Sequence, residues 1–173
     1  MRRLIFTILS LVAIAISPRS LFHPRSHGFY RFFAFEFLIA LILRNATRWF
    51  RRPFSSLQLI SWASLLSSAV LAIHGFRLLN RIGRPQNGIE NTQELVQAGA
   101  YAYIRHPVYT SLLLLGLGAF LKDVSLTGLG LLLGSAGCLA ITAQVEEREN
   151  LAKFGSKYEG YRSQTWRFIP FVY

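Results

Sequence analysis

Five long apolar stretches constrain what this chain can fold into more than any other feature of its sequence. They run over Leu4–Ile16, Phe29–Leu43, Leu57–Leu79, Val108–Leu121 and Val124–Val145. A helix needs about 20 apolar residues to cross a bilayer, so the first, second and fourth stretches are marginal and require partial burial to span one. With a mean hydropathy of +0.35, the pattern predicts an all-α, polytopic membrane protein with about five transmembrane helices.

The segments that connect these stretches indicate how the helices are arranged. Only Lys122-Asp123 separates the last two, which predicts a C-terminal helical hairpin. Glycines in that hairpin, including the GxxxG pair Gly130 and Gly134, would let membrane helices approach closely. The first stretch is followed by Ser17-Pro18-Arg19 and not by a small-x-small cleavage site. It is therefore interpreted as a short membrane helix and not as a signal peptide.

The basic residues indicate a membrane partner and not a nucleic acid. The net charge is +11, from 19 Lys and Arg against 8 Asp and Glu, but these residues flank the apolar stretches, as expected near lipid headgroups. If the C-terminus is cytoplasmic, twelve of the 19 basic residues lie on the cytoplasmic side. The positive-inside rule thus favours a multi-pass protein with a cytoplasmic C-terminus. The basic cluster from Arg44 to Arg52 lies on the other side, against this rule.

The stretch GAYAYIRHPVYTS, residues 99–111, places polar residues directly before the fourth apolar stretch. Proline is favoured at the first position of a helix, so Pro107 predicts a helix start there and puts Arg105 and His106 at its entrance. Helix entrances attract anions, so these residues predict a cradle for a carboxylate or a phosphate. The alternative is that Arg105 and His106 snorkel toward the membrane surface.

A second polar cluster, VEERENLAKFGSKYEGYR, follows the fifth stretch on the same predicted side. Acidic side chains are unfavourable at a helix C-terminus, so the helix should continue to about Lys153 and end near Gly155. Glu146 then lies close to the bilayer, where it requires an arginine, a hydroxyl-rich ligand or a cation. The alternative is a pair of solvated salt bridges with Arg148 and Lys153. No metal-binding motif is present, and Cys138 is the only cysteine.

Together, the two clusters resemble the isoprenylcysteine carboxyl methyltransferase family of membrane enzymes. The matching pattern is G-x-Y-x-x-x-R-H-P-x-Y, an apolar hairpin, E-E-(x)6-F-G-x-x-Y-x-x-Y and a terminal I-P. It covers about residues 80–171, from Gly99 through Glu146 and Glu147 to Ile169 and Pro170. Phospholipid N-methyltransferases share this C-terminal signature. The resemblance divides the chain into N-terminal membrane helices, residues 1–80, and a catalytic methyltransferase region, residues 81–173, within one integrated membrane domain.

The resemblance implies S-adenosylmethionine as cofactor, in a cytosolic pocket next to the hairpin. By position, the cofactor-binding residues would be Gln86, Gln93, Glu94, Leu95, Val96, Tyr101, His106, Pro107, Val108, Tyr109 and Glu146. Catalysis would fall to Arg105, His106 and Glu146. No metal is implied.

The acceptor implied by the resemblance is lipophilic and enters from the bilayer. The first expectation is carboxyl O-methylation of a C-terminal S-isoprenylcysteine. Eukaryotic members carry a substrate-contacting arginine one helical turn before the first glutamate, and here that position is Thr142. N-methylation of a phosphatidylethanolamine-type phospholipid therefore stays open. A non-catalytic membrane scaffold is the third alternative, and it would bind no methyl donor.

Overall fold

The computed structural model describes residues 2–16, 27–51, 53–85 and 92–172, and these residues form an all-helical fold, as predicted. The helices are α1 (Arg2–Ile16), α2 (His27–Asn45), α3 (Ser56–Arg81), α4 (Pro107–Phe120), α5 (Leu126–Phe154) and α6 (Ser156–Gln164). Two 3₁₀ turns cover Ala46–Arg48 and Gly99–Ala102. Across the described ranges, extended pairing is limited to two isolated bridges, Ile104 with Trp166 and Ile169 with Val172.

Each of the five apolar stretches forms a helix. Pro107 is the first residue of α4, as its fixed backbone angle predicts. Helix α5 continues past the glutamates to Phe154 and ends before Gly155, which confirms the predicted end. By length and composition, α3 and α5 are apolar enough to cross a membrane; the count of five spans stays a prediction. The short polar helix α6 has no apolar periodicity and was not predicted.

The chain forms two compact units, the first made of Met1–Leu65 and Leu113–Glu146. Among the described residues of this unit, buried side chains on α2 and α5 form an apolar core. Small and polar residues join its helices. The Ser61 hydroxyl donates to the Gly118 carbonyl at 2.7 Å. A Cβ on Gly118 would lie 2.7 Å from Leu65 Cγ, so glycine permits this close approach. Of the GxxxG pair, a Cβ on Gly134 would meet the Phe37 ring at 3.1 Å, while a Cβ on Gly130 would meet no neighbouring helix within 4 Å among the described residues.

The second unit comprises Leu66–Leu112 and Glu147–Tyr173. Its buried side chains include Val96, Tyr101, Ile104, Tyr158 and Tyr161. The Ser68 hydroxyl donates to the carbonyl of Ser111 at 2.7 Å, which links the middle of α3 to the beginning of α4. Arg105, His106, Glu147 and Arg167 all lie in this unit. The predicted boundary between residues 80 and 81 stays a prediction.

Candidate active site

Glu147 is the centre of the most densely connected polar cluster in the second unit. Its side chain is 5% exposed. Its Oε1 atom accepts a hydrogen bond from Arg105 Nε at 2.9 Å and lies 3.3 Å from His106 Nε2. Arg167 donates to both carboxylate oxygens, from Nε at 3.1 Å and from Nη2 at 3.0 Å. A buried carboxylate is costly without partners, and these three side chains supply them.

The backbone before α4 brings those partners together. The peptide N–H of Arg105 donates to the Trp166 carbonyl at 2.7 Å, and that of His106 donates to the Arg167 carbonyl at 3.1 Å. Trp166 in turn donates to the Tyr103 carbonyl at 3.1 Å. The C-terminal segment therefore lies alongside the residues that precede α4. This pairing brings Arg167 to the same carboxylate as Arg105 and His106.

Arg105 also holds the end of α6 and the residue that follows it. Its Nη1 atom donates to the carbonyl oxygens of Arg162 and Thr165. The Arg105 and His106 side chains are 8% and 4% exposed, so neither snorkels into solvent. The anion at this helix entrance is the protein's own Glu147. The cluster still contains two guanidinium groups for one carboxylate, and its field therefore favours a further anion.

Aromatic rings border the cluster. The His106 ring stacks on Tyr109, with centroids 5.4 Å apart and planes at 15°, and lies 6.0 Å from Phe168. The Thr110 hydroxyl donates to the Phe168 carbonyl at 2.9 Å, which fixes this part of the C-terminal segment against α4. Aromatic faces attract cations and stack on flat rings. They therefore offer a suitable surface for a purine or a sulfonium.

The tyrosines of the second motif have a structural role. The Tyr161 hydroxyl donates to the Tyr101 carbonyl at 2.7 Å in a buried contact. The Tyr158 and Tyr161 rings meet edge to face with centroids 5.9 Å apart. Burial raises the pKa of Tyr161 above its usual value, because the phenolate would lose its hydration. Tyr161 therefore stays protonated and ties α6 to the 3₁₀ turn at Gly99–Ala102.

The glycine that opens the first motif is required by its backbone and by a close neighbour. Gly99 has φ +59°, a backbone angle that residues other than glycine rarely adopt. A Cβ there would lie 2.6 Å from His74 Nε2. The next peptide N–H, that of Ala100, donates to the same nitrogen at 3.4 Å. Gly99 thus lets the turn before Tyr101 pack against α3.

The predicted site residues fall into three groups. Val96, Tyr101, His106, Pro107 and Tyr109 are buried in the second unit, and Leu95 and Val108 are half-buried there. Gln93 and Glu94 are exposed, and their peptide N–H groups donate to the Gly83 carbonyl at 2.7 and 3.2 Å. Gln86 lies outside the described residues.

The two glutamates of the E-E motif lie in different environments. Glu146 is half-buried on α5, and it is its neighbour Glu147 whose carboxylate contacts Arg105 and His106. Neither Glu147 nor Arg167 was among the predicted site residues. The E-E motif signals Glu147 only as one of a pair, and nothing in the sequence signals Arg167. Within the described ranges, no group of three or more His, Cys, Asp or Glu could hold a metal ion.

A buried ionic cluster at a helix entrance, in a chain with two membrane-length apolar helices, fits a membrane-embedded enzyme. Residues 57–157, more than half of the chain, match the phospholipid methyltransferase family, so the protein belongs to this family and its activity class is methyl transfer at a membrane. The match includes Arg105, His106 and both glutamates and stops before Arg167. No curated protein and no solved structure matches the chain significantly.

Proposed function

We propose that the protein is an S-adenosylmethionine-dependent methyltransferase whose acceptor is the amine headgroup of a membrane phospholipid. The observation that carries this proposal is the Glu147 cluster, which orients His106 beside aromatic rings inside the region that matches the family. When bound, S-adenosylmethionine would supply an activated methyl group. The aromatic faces of His106, Tyr109 and Phe168 suit its purine and sulfonium, and the net positive field of the cluster favours its carboxylate without a direct contact to Arg105.

His106 would act as the base for an amine acceptor. An ammonium group must lose a proton before its nitrogen can act as a nucleophile. In the neutral ring, the tautomer with hydrogen on Nε2 donates to Glu147 and leaves Nδ1 as the basic nitrogen. Glu147, 3.3 Å from Nε2, would fix this tautomer and stabilise the positive charge that His106 acquires. Arg105 and Arg167 hold Glu147 in place.

A phospholipid amine is favoured over a prenylcysteine carboxylate by the charges near the expected acceptor. Thr142 occupies the position of the substrate-contacting arginine, and its hydroxyl donates to the Cys138 carbonyl at 2.8 Å. Arg105 could in principle hold an acceptor carboxylate instead, but it is bound to Glu147 and to two backbone carbonyls. C-terminal S-isoprenylcysteine remains the second candidate, because the ordered motif from Gly99 to Pro170 resembles that of its methyltransferases.

The experiment uses purified protein in liposomes that contain phosphatidylethanolamine, a prenylated cysteine analogue and methyl-labelled S-adenosylmethionine. The products are extracted and treated with base. We expect the label to stay with the phospholipid, as N-methylation requires. Label released as methanol would identify a methyl ester and would establish the second candidate. If the protein neither binds the donor nor transfers the label, it is a scaffold and the proposal fails.

Three variants separate the roles of Glu146, of Glu149 and of the base His106. Glu146→Gln should weaken donor binding, whereas Glu149→Gln, an exposed position on the same helix, should not. His106→Gln should lower transfer to an amine by about 100-fold, since general bases contribute roughly 10²–10⁴-fold. The same variant should lower transfer to a carboxylate far less, because a carboxylate is already ionised.

We further propose that five helices span the membrane with the C-terminus in the cytoplasm, where the donor is made available. Cys138 is the only cysteine, so a Cys138→Ser background allows single cysteines to be labelled. Ser163→Cys, exposed on α6, should react with an impermeant maleimide only after inverted vesicles are prepared. Labelling of Ser163→Cys from outside intact cells would reverse the topology.

A further inference from the structure

The turn between α4 and α5 in the first unit carries a second cluster of buried polar groups. Lys122 in this turn is 4% exposed, and its Nζ atom lies 3.4 Å from the centroid of the Trp62 ring and 5.6 Å from that of Trp49. Burial lowers the pKa of Lys122, since the ammonium loses hydration. The rings offset part of that loss, but they provide no hydrogen-bond acceptor.

Other side chains reach the same turn. The Gln58 amide donates to the Leu121 carbonyl at 2.9 Å, and the Asn45 amide donates to the Ala119 carbonyl at 2.9 Å. Arg44 Nη2 lies 3.0 Å from the Ser125 hydroxyl. Residues on α2, on α3 and in the segment between them thus converge on residues 119–125.

Five polar atoms of this cluster are buried and have no hydrogen-bond partner among the residues that the structure describes. They are Arg44 Nε, Asn45 Oδ1, Trp49 Nε1, Gln58 Oε1 and Lys122 Nζ. Three are donors, two of them on cationic groups, and two are neutral acceptors. Buried polar atoms are almost always hydrogen-bonded, so five together indicate a ligand with both kinds of group. The donors suit a phosphate, and the acceptors suit a hydroxyl or ammonium group next to it.

The surroundings indicate that such a phosphate belongs to a lipid. Exposed apolar side chains lie near the cluster residues in the chain: Phe50 is 77% exposed, Phe54 87% and Leu126 86%. Apolar side chains beside basic ones are typical of the boundary between acyl chains and headgroups. The neighbouring basic residues belong to the Arg44–Arg52 cluster, which the predicted topology leaves unexplained.

We propose that the turn between α4 and α5 binds the phosphodiester headgroup of a bilayer lipid, held by Lys122, Arg44 and Trp49. Asn45 and Gln58 accept hydrogen bonds from the hydroxyl or ammonium group of the same headgroup. This site is separate from the Glu147 cluster and does not depend on the proposed methyl transfer. It gives Arg44, one member of the Arg44–Arg52 cluster, an anionic partner.

The test measures how lipids change the thermal unfolding of delipidated protein in detergent, with native mass spectrometry to count the retained molecules. Phosphatidylglycerol is the probe, because it has a phosphodiester and hydroxyl groups but no amine or carboxylate to be methylated. Diacylglycerol with the same acyl chains and inorganic phosphate are the comparison ligands. We expect phosphatidylglycerol alone to raise the unfolding temperature, with one molecule retained per chain.

Two variants probe the site. Lys122→Met should weaken this lipid by about tenfold or more, the loss expected for one hydrogen bond to a charged group. Trp49→Phe replaces the indole by a smaller ring that cannot donate a hydrogen bond, and it should weaken the lipid less. This variant tests the site if Lys122→Met does not fold. Lys157→Met and Arg51→Gln, both at exposed positions, should bind as the wild type does.

Three results would overturn the proposal. If diacylglycerol is as effective as phosphatidylglycerol, the acyl chains alone bind and the polar cluster holds only water. If inorganic phosphate gives the full effect, the site is one for a soluble anion and the assignment to a lipid is wrong. If Lys122→Met and Trp49→Phe both retain wild-type binding, the lipid binds elsewhere.

Discussion

Replacement of Glu147 by glutamine should destabilise the fold strongly. The substitution keeps the size of the side chain but removes a buried negative charge that faces Arg105, Arg167 and His106 within 3.3 Å. One amide hydrogen-bond donor would also face guanidinium donors. Loss of one member of a buried ion pair costs about 3–5 kcal/mol, mainly because the remaining charge is left buried without compensation. At roughly 2–4 °C per kcal/mol for a chain of this length, the unfolding temperature should fall by about 6–20 °C.

The assay is thermal unfolding of the purified variant in the same detergent as the wild type, with Glu149→Gln as control. Glu149 is exposed on the same helix, so its substitution should shift the unfolding temperature little. Arg167→Gln should add little destabilisation to the Glu147→Gln variant, since its partner is already gone. If Glu147→Gln unfolds within about 2 °C of Glu149→Gln, the carboxylate does not hold this unit together and the reasoning fails.

Three further predictions concern single contacts in the same unit. Gly99→Ala should lower the free energy of unfolding by about 1–3 kcal/mol, because of backbone strain at φ +59° and the close contact with His74. Adding His74→Ala to this variant should restore only the free energy that was lost through the contact with His74. Tyr161→Phe should cost about 1 kcal/mol for the lost hydrogen bond to Tyr101. The folded-state pKa of Tyr161 is raised, so the contribution of this residue to the free energy of unfolding is complete below about pH 10 and is lost as pH rises further. When the unfolding temperature is measured against pH, it should therefore fall less at alkaline pH in Tyr161→Phe than in the wild type. Arg167→Lys should destabilise the cluster, as one ammonium cannot reproduce the two parallel hydrogen bonds of the guanidinium.

The helices could be predicted because their signals are local. Apolar runs of membrane length, a proline that suits only a first turn and a glycine after Phe154 each specify the backbone without reference to distant residues. Gly155 has φ +56°, which explains why α5 ends there. Helix α6 lacked such a signal, because its buried tyrosines are few and the rest of its surface is polar.

The site could be predicted only in part, because its contacts join distant residues. Adjacent helical residues point about 100° apart, so the E-E pair alone does not show which glutamate faces Arg105. That choice depends on the rotation of α5 about its axis. Arg167 lies in a short segment with no periodicity, and its approach to Glu147 depends on the backbone pairing of Trp166 with Tyr103 and Arg105.

The contacts of Arg105 also bear on the choice of acceptor. An arginine that recognises a substrate carboxylate must give up bound water when the carboxylate binds and must release the carboxylate after the reaction. Its guanidinium therefore has to be accessible. Arg105 is 8% exposed on its side chain and donates to Glu147 and to the carbonyls of Arg162 and Thr165. To bind a substrate it would have to give up contacts that hold the C-terminal segment. Its better-supported role is to position Glu147, and through it His106, which is the arrangement that an amine acceptor requires.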